Sequence, residues 1–204
     1  MKEITYIREW LENNLSSKRM HHSLGCADAA KKLAKLFNLD EDKAYLAGLI
    51  HDCAKNFDDA HLLNLIKTEI KTGYDLSELK NPKTYHAIVG AYFAKKEFEI
   101  EDIEIIDAIR CHTIGKINMT TFEKIIFLAD KIEANTRDIR YTKKVWKLIE
   151  KNKGVIGLDL ALLKCFCETI KKLVSKRYFI CENTIDVYNE LQQQVGELLE
   201  EDKI

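Results

Sequence analysis

The chain has 204 residues, of which 46% are hydrophobic and 32% are charged, and its formal net charge is -1. This composition allows one compact domain with an ordinary polar surface. The balanced charge argues against a nucleic acid or an anionic membrane as the main partner. No apolar run is long enough for a membrane-spanning helix. The six cysteines form no Cys-x-x-Cys pair and no signal peptide is visible, so we predict a reducing, cytoplasmic setting.

The predicted secondary structure is helical throughout. One proline and eight glycines are too few for the tight turns of a β-rich fold, and the apolar residues have helical spacing. In chain order, helices are predicted to start near residue 4, at Ser16 or Ser17, at Asp40, at Asp58, at Asn81-Pro82, near Glu101 and at the capping box Thr120–Glu123. Three further helices are predicted to cover roughly 141–151, 155–177 and 184–200. We therefore predict a single all-α domain over residues 1–204.

An imidazole and a carboxylate stand side by side at His51 and Asp52, where a predicted buried helix ends. Burying both in apolar surroundings is unfavourable unless something binds them, and a divalent metal ion is the usual ligand. Asp130 similarly interrupts the apolar run that starts at Ile125. An unpaired buried carboxylate is so unfavourable that it loses its charge. Both positions therefore indicate a metal centre.

Six side chains are candidate metal ligands, and apart from the adjacent pair each lies on a different predicted helix: His22, His51, Asp52, His86, His112 and Asp130. Facing helices of a bundle place such residues around a central site. One tetrahedral ion with an open position cannot use four imidazoles and two carboxylates. Two ions about 3.5–4 Å apart, bridged by one carboxylate, would use all six and leave room for water.

The order His22, His51-Asp52, Asp130 resembles the His…His-Asp…Asp motif of the HD superfamily of metal-dependent phosphohydrolases. The additional His86 and His112 resemble the binuclear branch of that superfamily. The resemblance implies an all-α HD-fold helical bundle with a central metal site. Its ligands would span residues 22–130, and the helices over 141–200 would complete the bundle.

A closer similarity is to the YqeK family, the HD-type symmetrical diadenosine tetraphosphate hydrolases, and it covers roughly residues 5–193. Five strings in the same order carry it: His22-Ser23-Leu24-Gly25, His51-Asp52-x-x-Lys55, His86-Ala87-Ile88-Val89-Gly90, Arg110-x-His112-Thr113-x-Gly115 and Ala129-Asp130-Lys131-Ile132-Glu133. The family places its first ligand immediately before Ser-Leu-Gly, which selects His22 over His21. Where the family usually has a proline after Ile-Glu, this chain has Ala134, so the alignment of Arg137 shifts by up to one residue.

The resemblance implies a phosphoanhydride hydrolase that cleaves diadenosine tetraphosphate symmetrically into two ADP, and it favours iron as the metal. The nitrogen and oxygen donors would also suit manganese, nickel or zinc. We expect a hydroxide that bridges two ions to attack phosphorus in line with the leaving phosphate, with Asp52 as the bridging carboxylate. Lys55, one helical turn beyond the His-Asp pair, is the predicted catalytic and phosphate-binding cation. Further predicted substrate contacts are Lys116, Arg137 and Arg19.

Other polar residues are interpreted as ordinary surface or core residues. These include His21 and His61, as well as a basic cluster that is interpreted as a solvated helix face: Lys171, Lys172, Lys176 and Arg177.

The predicted partner is a small nucleotide. Apolar helix surface left over after one core would also allow a homodimer.

Two other functions stay open from the residues alone. An HD-type nucleotidase, or a phosphodiesterase of cyclic nucleotides, would use the same ligand set. A non-catalytic, metal-bearing interaction module would need no cations that reach phosphate. The presence of Lys55, Lys116 and Arg137 favours an enzyme over such a module.

Overall fold

The computed structural model describes residues 1–152 and 154–201, and the regular structure within these ranges is helical. Ten α-helices follow one another in the described chain: α1 (Ile4–Asn14), α2 (Ser17–Leu36), α3 (Glu41–Ile50), α4 (Asp59–Leu65), α5 (Tyr85–Lys96), α6 (Ile103–Cys111), α7 (Thr121–Ile132), α8 (Ile139–Lys151), α9 (Val155–Ser175) and α10 (Glu182–Glu201). A π-helical turn (Ile66–Ile70) extends α4. The predicted all-α, single-domain fold class is confirmed, whereas the extent of the domain over all 204 residues stays a prediction.

Side-chain caps confirm four of the predicted helix starts, and the capping residues are Ser16 for α2, Asp40 for α3, Asp58 for α4 and Thr120 with Glu123 for α7. The Ser16 hydroxyl oxygen accepts a hydrogen bond from the Arg19 amide, which decides between Ser16 and Ser17 as the cap. A cap of this kind contributes about 1 kcal/mol to helix stability. These local signals therefore set where three site-bearing helices begin.

The start predicted at Asn81-Pro82 differs in the structure. Asn81 does accept a backbone hydrogen bond as a cap, but the first turn (Pro82–Thr84) is a 3₁₀ helix, and α5 begins only at Tyr85. The Tyr85 hydroxyl donates a hydrogen bond to the Leu79 carbonyl at 2.7 Å. Because this bond ties α5 to the preceding segment, the tighter turn depends on contacts that local sequence does not specify.

The helix α2 occupies the middle of the fold and packs against α3 and α7. Its approach to α3 is close at Gly48. A Cβ atom there would lie 2.9 Å from both the Ala27 Cα and the Cys26 carbonyl oxygen, so any larger residue would push the two helices apart. This contact brings the end of α3, where His51 and Asp52 follow, against the helix that carries His22.

The C-terminal helices pack on the helices of the site through α9, which contacts α7, α8 and α10. The fully buried rings of Phe127 and Phe166 stack with centroids 4.6 Å apart and join α7 to α9. Removing a buried phenyl ring costs about 3–5 kcal/mol, so this contact contributes strongly to the packing of α9 on α7. None of the described helices combines the length and apolar character needed to cross a lipid bilayer.

Candidate metal centre

The structure brings all six candidate ligands together in one buried place, where each is at most 6% exposed. They come from five helices: His22 from α2, His51 and Asp52 directly after α3, His86 from α5, His112 directly after α6 and Asp130 from α7. We call His22, His51 and Asp130 the first group, and His86 and His112 the second group. Asp52 lies between the two groups.

His51 and His112 have the same local geometry. Each directly follows the last residue of a helix, and each Nδ1 donates a hydrogen bond to the carbonyl three residues earlier, in Gly48 (2.7 Å) and Ile109 (2.6 Å). Because a carbonyl can only accept, the proton is assigned to Nδ1 in both rings. In the neutral form of each ring, Nε2 then carries a free electron pair that faces the centre.

His22 is oriented by a carboxylate from the end of α7. Its Nδ1 lies 3.0 Å from Glu133 Oε1, while its Nε2 lies 3.0 Å from Asp130 Oδ1 and 3.7 Å from Asp52 Oδ2. Gly25, one turn after His22, makes room for this carboxylate, since a Cβ there would lie 2.5 Å from Glu133 Oε2. Gly25, the glycine of the His-Ser-Leu-Gly string, therefore leaves space for Glu133, and Glu133 in turn positions His22.

Glu133 itself is fully buried and held by the turn that follows α7. Its carboxylate accepts hydrogen bonds from the amides of Asn135 (2.6 Å) and Thr136 (3.0 Å), as well as from the Thr136 hydroxyl. Burial raises the pKa of Glu133, but the bonds from Thr136 and His22 outweigh it and lower the pKa below its usual value. An ionised Glu133 accepts a hydrogen bond from His22 and so keeps the proton of that ring on Nδ1.

Two nitrogen atoms at the centre lack a hydrogen-bond partner within the described part of the protein. Among the described residues, His22 Nε2 and His51 Nε2 are buried without a hydrogen bond that meets normal geometry. Unsatisfied buried polar atoms are rare because each is costly. The ligand atoms of the first group lie within 4.8 Å of one another, as do those of His51, Asp52 and His112. Converging nitrogen and carboxylate donors of this kind fit a divalent cation.

The two oxygens of Asp52 face different groups. Oδ2 lies 3.5 Å from His51 Nε2 and 3.7 Å from His22 Nε2, whereas Oδ1 lies 3.2 Å from His86 Nε2 and 3.5 Å from His112 Nε2. Burial raises the pKa of Asp52, but His51 and Lys55 nearby lower it well below its usual value. The residue is therefore an anion with one oxygen toward each group.

His86 has a different environment. Its Nε2 lies 3.2 Å from His112 Nε2, and the Lys55 ammonium lies 2.8 Å from Nε2 and 3.1 Å from Nδ1. Burial and the charge of Lys55 lower the pKa of His86 to about 3, and burial also lowers the pKa of His112. Both rings of the second group are therefore neutral at physiological pH, which is the form that binds metals.

Three of the four predicted substrate cations lie at the centre. An Arg19 nitrogen is 2.7 Å from Asp52 Oδ2, an Arg137 nitrogen is 2.6 Å from Asp130 Oδ1, and Lys55 contacts His86. Lys116 is not brought to them, because its ammonium pairs with Glu123 at 2.6 Å and with Asp107 at 3.4 Å. A substrate role for Lys116 stays a prediction that this pairing does not support.

Sequence reasoning missed three neighbours of the ligands. The Lys131 ammonium lies 2.6 Å from Asp130 Oδ2, Glu133 holds His22, and the Thr113 hydroxyl lies 3.2 Å from the Nε2 atoms of both histidines in the second group. Each stands within three positions of a ligand. The available signals were the two strings that contain them, His112-Thr113 and Asp130-Lys131-Ile132-Glu133, but neither string assigns these residues a role.

The fold and the centre together define an HD-domain protein. The family model described as HD domain matches residues 19–135, a stretch that begins in α2 and ends just after α7. All six candidate ligands lie within it. The C-terminal helices α8–α10 follow the matched stretch and pack on it.

Comparison with individual proteins identifies a narrower family within the HD-domain proteins. The chain is 36% identical over 178 residues to the symmetrical bis(5'-nucleosyl)-tetraphosphatase of Halalkalibacterium halodurans, covering 87% of this chain and 91% of that one. It is 34% identical over 179 residues to the protein of the same name from Bacillus subtilis, covering 88% and 92%. A crystal structure of a Clostridium acetobutylicum protein, described as a predicted HD superfamily hydrolase involved in NAD metabolism, has a TM-score of 0.86 and 36% identity and covers 95% of this chain and 99% of that one. The chain belongs to the family of symmetrical bis(5'-nucleosyl)-tetraphosphatases within the HD superfamily.

Proposed function

We propose that this chain is a metal-dependent hydrolase that cleaves diadenosine tetraphosphate, or a related dinucleoside polyphosphate, symmetrically into two nucleoside diphosphates. The observation that carries the proposal is the position of Asp52, whose two carboxylate oxygens face two different histidine groups. The names of the relatives from Halalkalibacterium halodurans and Bacillus subtilis support this substrate and this cleavage position.

Two divalent ions per chain fit the donors best. The first group with one oxygen of Asp52 would hold one ion, and the second group with the other oxygen would hold the second. The resemblance to the YqeK family favours iron, and manganese, nickel or zinc would also accept these ligands. When bound, such a pair of ions makes hydroxide available at neutral pH and neutralises the oxygens of the attacked phosphoryl group.

The protein's own cations would bind the rest of the polyphosphate. Lys55, Arg19 and Arg137 place three positive charges around the ligands, each within 4.0 Å of a carboxylate oxygen of Asp52 or Asp130. Arg137 is held in place by a second bond, from its Nε to the Asp130 carbonyl at 2.7 Å. A guanidinium fixed in this way can present its remaining N–H groups to phosphate oxygens. Lys55 can stabilise the negative charge that develops on the leaving phosphate.

The direct test is product analysis. Purified protein loaded with iron or manganese is incubated with diadenosine tetraphosphate, and the products are separated by chromatography. We expect ADP as the only nucleotide product. Formation of ATP plus AMP, or no turnover with either metal, would contradict the proposal. Asp130→Asn should abolish the reaction, whereas Asp58→Asn should not, because asparagine caps α4 as well as aspartate does.

The remaining predictions about the protein's setting need separate tests. A homodimer is supported by exposed apolar side chains on α8 and α9, namely Ile139 (66% exposed), Val155 (52%) and Ile156 (50%). Light scattering during size-exclusion chromatography would measure the mass directly. The cytoplasmic location also stays a prediction, with a small nucleotide as the proposed partner.

A further inference from the structure

A cavity of about 510 Å³ adjoins the metal centre. Three of its lining residues also touch the ligands: Thr113, whose hydroxyl lies 3.2 Å from His86 and His112, and Lys131 and Arg137, which both pair with Asp130. The size is in the range of small-molecule sites. The cavity and the centre are therefore continuous, with these three side chains as the boundary.

The cavity wall is strongly cationic. Five of the lining side chains are positively charged, and none of the described lining residues is acidic. Lys83, Lys172 and Lys176 make no ion pair within the part of the chain that the structure describes. Lys176 follows the last residue of α9, four positions after Lys172, so the two ammonium groups project from the same side. Like charges at this spacing repel, and an anion between them would remove the repulsion.

Another part of the cavity wall is apolar and aromatic. It is formed by Leu173 and Tyr178 near the end of α9 and by Ile114 in the segment after α6. Tyr178 is 45% exposed, although a tyrosine ring gains from burial. Such a surface suits the flat face of a nucleoside base. The cavity thus combines the cations shared with the metal centre, two further lysines, and an aromatic and apolar part of the wall.

We infer that this cavity binds the nucleoside diphosphate half of the substrate that lies beyond the attacked phosphorus. Lys172 and Lys176 bind its phosphates, and Tyr178 receives its base. The inference rests on the proposed function, because it names the residues that would hold one half of that substrate. It also assigns a function to two lysines of the cluster that the sequence alone presents as a solvated face.

The test compares two sets of lysines on the same helix. Lys172→Ala/Lys176→Ala removes the cavity charges, and Lys171→Ala removes an exposed lysine that pairs with Glu168 at 3.3 Å and lies outside the cavity. Calorimetry measures binding of ADP to each metal-loaded protein, and steady-state kinetics measure KM and kcat with diadenosine tetraphosphate. We expect the double variant to bind ADP roughly tenfold more weakly and to raise KM more than it lowers kcat. Lys172→Arg/Lys176→Arg should restore ADP binding.

The outcomes separate this inference from the proposed function. Hydrolysis of diadenosine tetraphosphate by the unaltered chain, with ADP affinity and KM equal in the double variant and in Lys171→Ala, would overturn the inference and leave the function standing. Absence of that hydrolysis, with ADP binding still lost only in the double variant, would overturn the function and support the nucleotide site. Equal loss in both variants would show a general charge effect and would also overturn the inference.

Discussion

The two groups of the metal centre differ in how firmly the protein holds their ligands. In the first group, His22 is fixed by Glu133 and Asp130 by Arg137, and His51 bonds a helix carbonyl. In the second group, the described contacts of His86 Nδ1 include only the Lys55 ammonium, which cannot accept its proton. Metal-binding histidines usually donate their other N–H to a carbonyl or carboxylate, and loss of such a partner weakens metal binding.

His112 in the second group bonds a helix carbonyl as His51 does, so the difference lies at His86: the first position is preorganised for a cation, and the second only in part. The first group needs little rearrangement to bind, whereas His86 must first give up its contact with Lys55. We therefore expect a tightly held ion at the first group and a more exchangeable ion at the second. Asp52 faces both groups, so its substitution should affect both proposed ions and is the strongest test of this difference.

The largest effect is expected for Asp52→Asn. The amide offers one neutral oxygen in place of two charged ones and cannot serve both groups. We expect a loss of at least roughly a thousandfold in kcat and less than one bound ion per chain by elemental analysis. Circular dichroism should show unchanged helix content. Retention of two ions would contradict the position of Asp52 between the groups.

Removal of one histidine from each group should separate the two ions. His86→Ala should retain the tightly held ion alone, and His22→Ala should lose that ion. Titration of the metal-loaded protein with a chelator should release metal in two phases from the unaltered chain and in one late phase from His86→Ala. Release of both ions in a single phase, in the unaltered chain, would remove the proposed difference between the groups.

A smaller effect is expected for Glu133→Gln, which keeps the volume of the side chain but removes the charge that faces His22. Loss of such a partner typically weakens metal binding by roughly 10–100-fold. We expect this weakening in the late chelator phase only, with the early phase unchanged. Glu97→Gln, an exposed change at the end of α5, serves as the matched control. If only the early phase of metal release changed, the tightly held ion would not be the one bound by the first group.

The smallest effect is expected for Lys116→Ala. Its ammonium pairs with Glu123 and Asp107 and lies in neither group. Because partly exposed ion pairs contribute about 0–1 kcal/mol, stability should fall only slightly. We expect KM for diadenosine tetraphosphate to change by less than about twofold. A tenfold rise in KM would show that Lys116 leaves its carboxylates to bind the substrate.

The helices, and the convergence of the six candidate ligands, were predictable because each depends on local signals. Caps such as Asp40 mark the starts, and polar residues in apolar runs mark the site. The start of α8 was predicted at residue 141, two residues too late. The helix begins at residue 139 because Asp138 caps it. The π-helical turn after α4 was not predicted, because it depends on packing rather than on the residues within it.

The surroundings of the ligands were less predictable than the ligands. Glu133 stands where a charged residue normally meets solvent, and only the folded contact between α2 and the turn after α7 buries it. Lys172 and Lys171 are adjacent and chemically identical, yet only the first lines the cavity. Which side of α9 faces the centre is decided by its packing on α7, α8 and α10, and a periodic pattern of lysines does not contain that information.

His51 and His112 place the carboxyl ends of α3 and α6 at the same point. The aligned peptide dipoles of a helix give its carboxyl end about half a negative charge. Two such ends create a local potential that attracts cations and repels polyphosphate before any side chain is considered. The backbone thereby favours metal binding at this point, and nucleotide affinity should rise as metal is loaded and offsets the two helix ends.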